Sequence, residues 1–228
     1  MKSKIYDVVI LAAGMSRRFH SSKPKQFIKI YKKNLVDISV EKFNKIKPIR
    51  NIYLVLHKNH DYRVPKKFPN VFKITGGSTR TKSVYQALKY IDKLTKRPDK
   101  LLIHDVARPC VKNSEIIKLI NQSKKIMSGL SLGYPLTNAL KEVNNNLSVI
   151  KNLKRTNMFI SFTPQVFDFS MLFKAYAGII KRKLDVDDDV EAMTLFKYKV
   201  KMLKSSPSNI KITYKEDIDV VKDYMRET

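Results

Sequence analysis

The sequence predicts an α/β fold, a mostly parallel twisted sheet with helices on both faces. Three observations lead there. Short apolar runs rich in β-branched and aromatic residues alternate with stretches of helical periodicity. The runs are continuously apolar, as strands buried on both faces are, and do not alternate with polar residues. No repeat, low-complexity tract or linker divides the 228 residues, so one domain over 1–228 is expected.

Taken in order, strand-like runs occupy residues 5–11, 51–57, 71–74, 100–104 and 130–134. Helical patterns lie between them at 35–46, 79–94 and 114–127. The clearest is 79–94, where Val84, Ala87, Leu88, Ile91 and Leu94 share one face. From 139 to 163 the pattern loosens. KEVNNNLSVIKNL there reads as two short strands around an Asn144-Asn145-Asn146 turn, within a projecting β-arm at about 136–162. Helices follow at 168–180 and about 188–196, strands at 200–203 and 209–212, and a last helix from 215.

Lys and Arg number 46 against 20 Asp and Glu, a net charge of +26. Most of the excess is lysine scattered along the chain, which reads as solvated surface; only cations clustered beside special backbone support a functional claim. Cys110 is the single cysteine, so no internal disulfide or thiolate metal cluster is expected. No apolar stretch approaches the roughly 20 residues of a membrane span, and the N-terminal residues lack the apolar core of a secretory signal. A cytoplasmic location is expected.

In open parallel sheets ligands bind beyond the carboxyl ends of the strands. There the chain places Ala12-Ala13-Gly14 followed by Arg17, Arg18, Lys23 and Lys25; then Gly76-Gly77-Ser78-Thr79-Arg80; then His104-Asp105-Val106-Ala107-Arg108-Pro109. Small residues let backbone N–H groups approach a ligand, and Arg18 and Lys25 suit phosphate oxygens, which suggests a polyphosphate. Ser83 falls one turn into the helix after the glycines, on the side of Arg80. Neither GxGxxG nor GxxxxGK[ST] is present, so the dinucleotide and Walker readings lose their specific support. Asp105 suits a metal ion or a substrate hydroxyl, or equally a cap or salt bridge. The Asp187-Asp188-Asp189 run looks metal-like but sits where a helix starts, and acidic residues there favour the macrodipole. His20, His57, His60 and His104 lack zinc-ligand spacing, and no GxSxG elbow occurs.

Together, LAAGMSRRF, KPKQF, GGSTRTKSV, HDVARP, the block from Arg155 to Thr163-Pro164-Gln165, VDDDVEA and SNIKIT resemble, in order and spacing, the methylerythritol phosphate cytidylyltransferases. The resemblance implies a Rossmann-like, nucleotide-diphospho-sugar transferase-like domain that transfers CMP from CTP to 2-C-methyl-D-erythritol 4-phosphate and releases pyrophosphate, with Mg²⁺. It implies that Ala12, Ala13, Gly14, Gly77 and Ser83 surround cytosine and ribose. Arg18 and Lys25 would hold the triphosphate and stabilise charge at the α-phosphorus. Arg155 and Lys211 would position the acceptor phosphate, with Thr163 nearby and Asp105 holding acceptor hydroxyls or lying near the metal. It also implies a homodimer in which the arm brings Arg155 to the partner's site.

The chain departs from the family pattern at Pro135-Leu136-Thr137-Asn138-Ala139-Leu140-Lys141, where Pro-x-x-Asp-Thr-x-Lys is usual. Thr137, on a strand, would face the same side as Ala139 and compensate for the lost acceptor-binding Thr. Val106 replaces a usual Ala, Asp187 a usual Thr, and Thr194 a common Glu. The altered 138–139 pair leaves another polyol phosphate, such as ribitol 5-phosphate, as the alternative acceptor. A nucleic-acid-binding protein drawing on the charge lacks any helix-turn-helix, RNP or zinc-finger signature. A Rossmann dehydrogenase lacks its glycine fingerprint. Neither nucleic acid nor membrane is expected as a partner.

Overall fold

The computed structural model describes residues 4–15, 19 and 24–226. Strand β1 (Tyr6–Ala12) is followed by a 3-10 turn (Lys25–Phe27), the small hairpin of β2 (Lys29–Ile30) and β3 (Lys33–Asn34), and α1 (Leu35–Asn44). Next come β4 (Ile49–Leu56), β5 (Val71–Thr75), α2 (Arg80–Asp92), β6 (Lys100–Asp105), α3 (Asn113–Ser123) and β7 (Gly129–Pro135). Strands β8 (Leu140–Val143) and β9 (Val149–Leu153) form the arm. The chain then closes with β10 (Phe159–Asp168), α4 (Phe169–Lys181), α5 (Asp189–Leu195), β11 (Val200–Lys204) and α6 (Asp217–Arg226).

Seven strands make one sheet in the order β11-β7-β10-β6-β1-β4-β5. Every neighbouring pair is parallel except those of β10, which runs antiparallel to both β6 and β7. The chain starts in β1, moves out through β4 and β5, then returns to β6 on the other side of β1. The β1/β6 boundary is therefore the switch point where a crevice opens beyond the strand ends.

The continuous apolar runs divide by parity, because successive side chains of a strand point to opposite faces. Val8, Ile10, Ile52, Leu54 and Leu102 pack with α1, α3 and α6, around Val36, Phe43, Leu119 and Val221. Val9, Tyr53, Val55, Leu101 and Ile103 pack with α2, α4 and α5, around Leu88, Ile91, Leu172 and Met193. Side chains start the helices: Asn34 accepts from Asp37 N at 2.9 Å, Thr79 from Lys82 N at 3.2 Å, and Asp168 from Met171 N at 3.1 Å. Among the described residues no helix is long and apolar enough to cross a membrane.

Two features depart from the sequence reading. Residues 209–212 form no strand. They are a strap held by Ile212 N on Ala107 O at 2.9 Å and by side chains, because no sheet edge lies beside them. Conversely, the end of the loosened segment is the central strand β10, whose Ser161, Thr163, Pro164 and Gln165 mask its strand character.

Candidate functional site

Beyond the ends of β1 and β5 the chain makes two close backbone approaches. A Cβ on Gly76 would lie 2.6 Å from Ala13 Cβ and 3.0 Å from Ser83 Oγ, so a glycine is required where the two loops touch. A Cβ on Gly77 would lie 2.4 Å from Lys82 Cβ. Ser83 holds this turn, its hydroxyl accepting from Gly77 N at 3.1 Å and donating to Thr79 O at 2.8 Å. A Cβ on Gly14 would meet nothing within 4 Å: the backbone there borders open space.

Lys25 and Gln26 lie on the 3-10 turn, and Gln26 ties that turn to the first loop. Its amide donates to Ala12 O at 3.0 Å and Gly14 O at 3.2 Å. Lys25 Nζ donates to Ile212 O at 2.7 Å, in the strap that carries Lys211. The turn thus joins the loop after β1 to the strap. Arg18, the other expected triphosphate cation, lies outside the described residues, as do Arg17 and Lys23.

Asp105, the last residue of β6, collects the second half of the site. Its Oδ2 accepts from Lys211 Nζ at 2.6 Å and its Oδ1 from Arg80 Nε at 3.4 Å. Its backbone N donates to Thr163 Oγ1 at 3.0 Å, and that hydroxyl also lies 3.2 Å from His104 Nδ1. Asn209 Nδ2 donates to Thr163 O at 3.0 Å. Arg108 donates to Asn209 O at 2.7 Å and Ser161 O at 3.2 Å, with its guanidinium over the Phe162 ring. Strand β6, strand β10 and the strap are therefore laced together around one carboxylate.

Burial alone would raise the pKa of Asp105, but the charges of Arg80 and Lys211 hold it well below the usual carboxylate range. Asp105 stays anionic at any working pH. Burial pushes His104 down to about 3, so its ring is neutral and serves as scaffold beneath Thr163. Burial opposes the charge of Arg80, yet Asp189 and Asp105 hold it firmly protonated.

The structure brings Ala12, Ala13, Gly14, Gly77, Ser83 and Lys25 to one rim, with Asp105, Thr163 and Lys211 beside them. Thr137 is exposed in the loop that follows β7, and Arg155 is exposed on the arm after β9. The expected strand placement of Thr137 fails. β7 ends at Pro135 and β8 begins at Leu140, so 136–139 is a loop in which residues 137 and 139 share no strand face. Reading the sequence alone missed the roles of Arg80, Asp189 and Gln26. The sequence pattern marks the Asp run as helix-starting charge, and Asp188 does cap α5 through Glu191 N at 2.9 Å. Asp189 is instead wholly buried against Arg80.

Among the described residues no three His, Cys, Asp or Glu side chains gather as a metal site. Asp105 offers a single carboxylate already shared by two cations. That donor set suits a hard ion that keeps water and substrate-phosphate ligands, such as Mg²⁺, rather than a resident metal cage.

A family model described as 2-C-methyl-D-erythritol 4-phosphate cytidylyltransferase matches residues 6–227. The protein of that name from Petrotoga mobilis is 35% identical over 220 residues, covering 94% of this chain and 95% of its own length. The one from Vesicomyosocius okutanii is 34% identical over 240 residues, covering 99% and 98%. Among solved structures, the Francisella tularensis 2-C-methyl-D-erythritol 4-phosphate cytidylyltransferase superposes with a TM-score of 0.82 at 29% identity, over 97% of this chain and 100% of that one.

Proposed function

Since the chain belongs to the 2-C-methyl-D-erythritol 4-phosphate cytidylyltransferase family, and so is a CTP-dependent nucleotidyltransferase of isoprenoid precursor biosynthesis, we propose how its residues divide that work. The supporting observation is the convergence of two half-sites at the β1/β6 switch point. One is a backbone cradle with Lys25; the other is the Asp105–Lys211–Thr163 cluster. Ala12, Ala13, Gly14 and Gly77 take the cytosine and ribose through backbone groups, and Ser83 keeps the glycine turn in shape. Arg18 and Lys25 take the triphosphate.

Lys211 and Asp105 receive 2-C-methyl-D-erythritol 4-phosphate, the ammonium at its phosphate and the carboxylate at its hydroxyls. A phosphate oxygen, anionic near neutral pH, attacks the α-phosphorus of CTP without a general base. The bond from that phosphorus to the bridging oxygen breaks, and the electron pair leaves with pyrophosphate. Preorganised cations carry most of the acceleration in such transfers. Mg²⁺ would be held by the triphosphate together with Asp105, and would supply charge neutralisation on the departing phosphates.

The arm supports a homodimer. Strands β8 and β9 pair only with each other and expose Leu140, Val143, Val149 and Ile150, while Phe159 and Ile160 continue that apolar surface at the arm's root. A second copy covering it would receive Arg155 at its acceptor site. The activity also implies a cytoplasmic setting, where CTP is supplied.

The test is pyrophosphate release from CTP and Mg²⁺ with 2-C-methyl-D-erythritol 4-phosphate, run beside ribitol 5-phosphate. Release with the first acceptor is expected; release with ribitol 5-phosphate alone would overturn the acceptor. Lys25→Ala is expected to lower kcat about 10²- to 10³-fold, and undiminished turnover would remove Lys25 from the chemistry.

A further inference from the structure

A single guanidinium spans two carboxylates, Asp189 in the core and Asp105 at the crevice. Arg80 Nη2 donates to Asp189 Oδ2 at 2.7 Å, while its Nε reaches Asp105 Oδ1 at 3.4 Å. Its Nη1 is shut from solvent with no partner. Asp189 is itself wholly buried, and its other oxygen accepts from Tyr176 OH at 2.6 Å, inside the core between α4 and α5. A continuous series of contacts therefore runs from the core to the surface: Tyr176, Asp189, Arg80, Asp105, Lys211.

A carboxylate sealed in a core is expensive unless paired, and a nonpolar residue would fill the same place at less expense. Arginine's rigid planar fork can fix two anions in one geometry, which a lysine ammonium cannot. Asp189 holds the fork tightly; Asp105 touches it loosely and holds Lys211 tightly. The anchored end is thus in the core, and the end that must adjust when an anion arrives faces the crevice.

We propose that Arg80, clamped by the Asp189–Tyr176 pair, is a positioning residue that sets the Asp105 carboxylate and, through it, the Lys211 ammonium that grips the acceptor. The proposal rests on the reading above, in which Lys211 and Asp105 receive the acceptor phosphate and hydroxyls. Arg80 itself touches neither substrate. Removing its geometry weakens acceptor binding and leaves the nucleotide cradle, which depends on Gln26 and the glycine turn, as it was.

The test is steady-state pyrophosphate release with CTP and 2-C-methyl-D-erythritol 4-phosphate varied in turn, on the intact protein and on R80K, Y176F and K211A. Thermal unfolding of each is recorded alongside. R80K keeps the charge but loses the fork, and is expected to raise the acceptor KM about tenfold; Y176F, which removes only the outer hydrogen bond, is expected to raise it about threefold. Both should keep the KM for CTP within about twofold of the parent. Should R80K fail to fold, Y176F decides. A raised acceptor KM in K211A with parental values in R80K and Y176F overturns this proposal alone. An unchanged acceptor KM in K211A overturns the site reading and this proposal with it. Parallel losses in both KM values and kcat that follow the fall in Tm reduce Arg80 to a structural role and also overturn it.

Discussion

At the scale of single residues, His104 and Gly76 make the sharpest statements. His104 stays neutral in the fold down to about pH 3 but takes a proton below about 6.5 once unfolded. Between those values the unfolded chain binds more protons, so stability falls as pH drops. At pH 5 this one group should remove about 2 kcal/mol relative to neutral pH. Asp105, held below the usual carboxylate range, loses its contribution only at lower pH, so the two effects separate. Urea midpoints at pH 7.5 and 5 should therefore converge for His104→Gln; an unchanged slope would remove His104 as the cause. Gly76→Ala puts a methyl carbon 2.6 Å from Ala13 Cβ, and should cost about 1–3 kcal/mol. It should also weaken the CTP-induced rise in Tm, because the first loop must move; a parental thermal shift would contradict the close contact. The cradle glycines and Lys25 were legible as residues because turns and cations stand out in a string of letters. The fork of Arg80 was not, since it joins positions 80, 105 and 189, and nothing in the order of residues reports such a meeting.

At the scale of elements, parity made the sheet readable. Runs such as YDVVILA feed both cores at once, and only a strand covered on both faces needs that composition. Strand β10 escaped for the opposite reason. Its Thr163 and Gln165 are buried polar side chains serving the site, so function overwrote the apolar pattern. The strap at 209–212 misled in turn. Its β-branched residues suit a strand, but its fixed points are Arg108, Lys25 and Ala107 rather than a ladder. The arm contributes to neither core. Replacing residues 140–153 by a short Gly-Ser turn should thus leave the far-ultraviolet circular dichroism of the rest intact while light scattering reports a monomer. A persisting dimer would move the interface elsewhere.

At the scale of the whole molecule, a net charge of +26 self-repels in the compact state. Screening relieves that, so Tm should rise between about 20 and 300 mM NaCl, over which the Debye length falls from roughly 20 to 6 Å. A falling Tm would mean that attractive ion pairs outweigh the repulsion. The one strand that runs antiparallel within the seven-stranded sheet has a further consequence. Because β10 runs against its neighbours, the chain leaves the sheet at the end of β7 and re-enters at the same rim, the rim of the crevice. In the dimer proposed above, joining two copies through their arms would bring these rims close to one another. Assembly and turnover would then be one variable: specific activity should fall on dilution, because under that proposal each separated copy binds CTP but lacks a partner's Arg155.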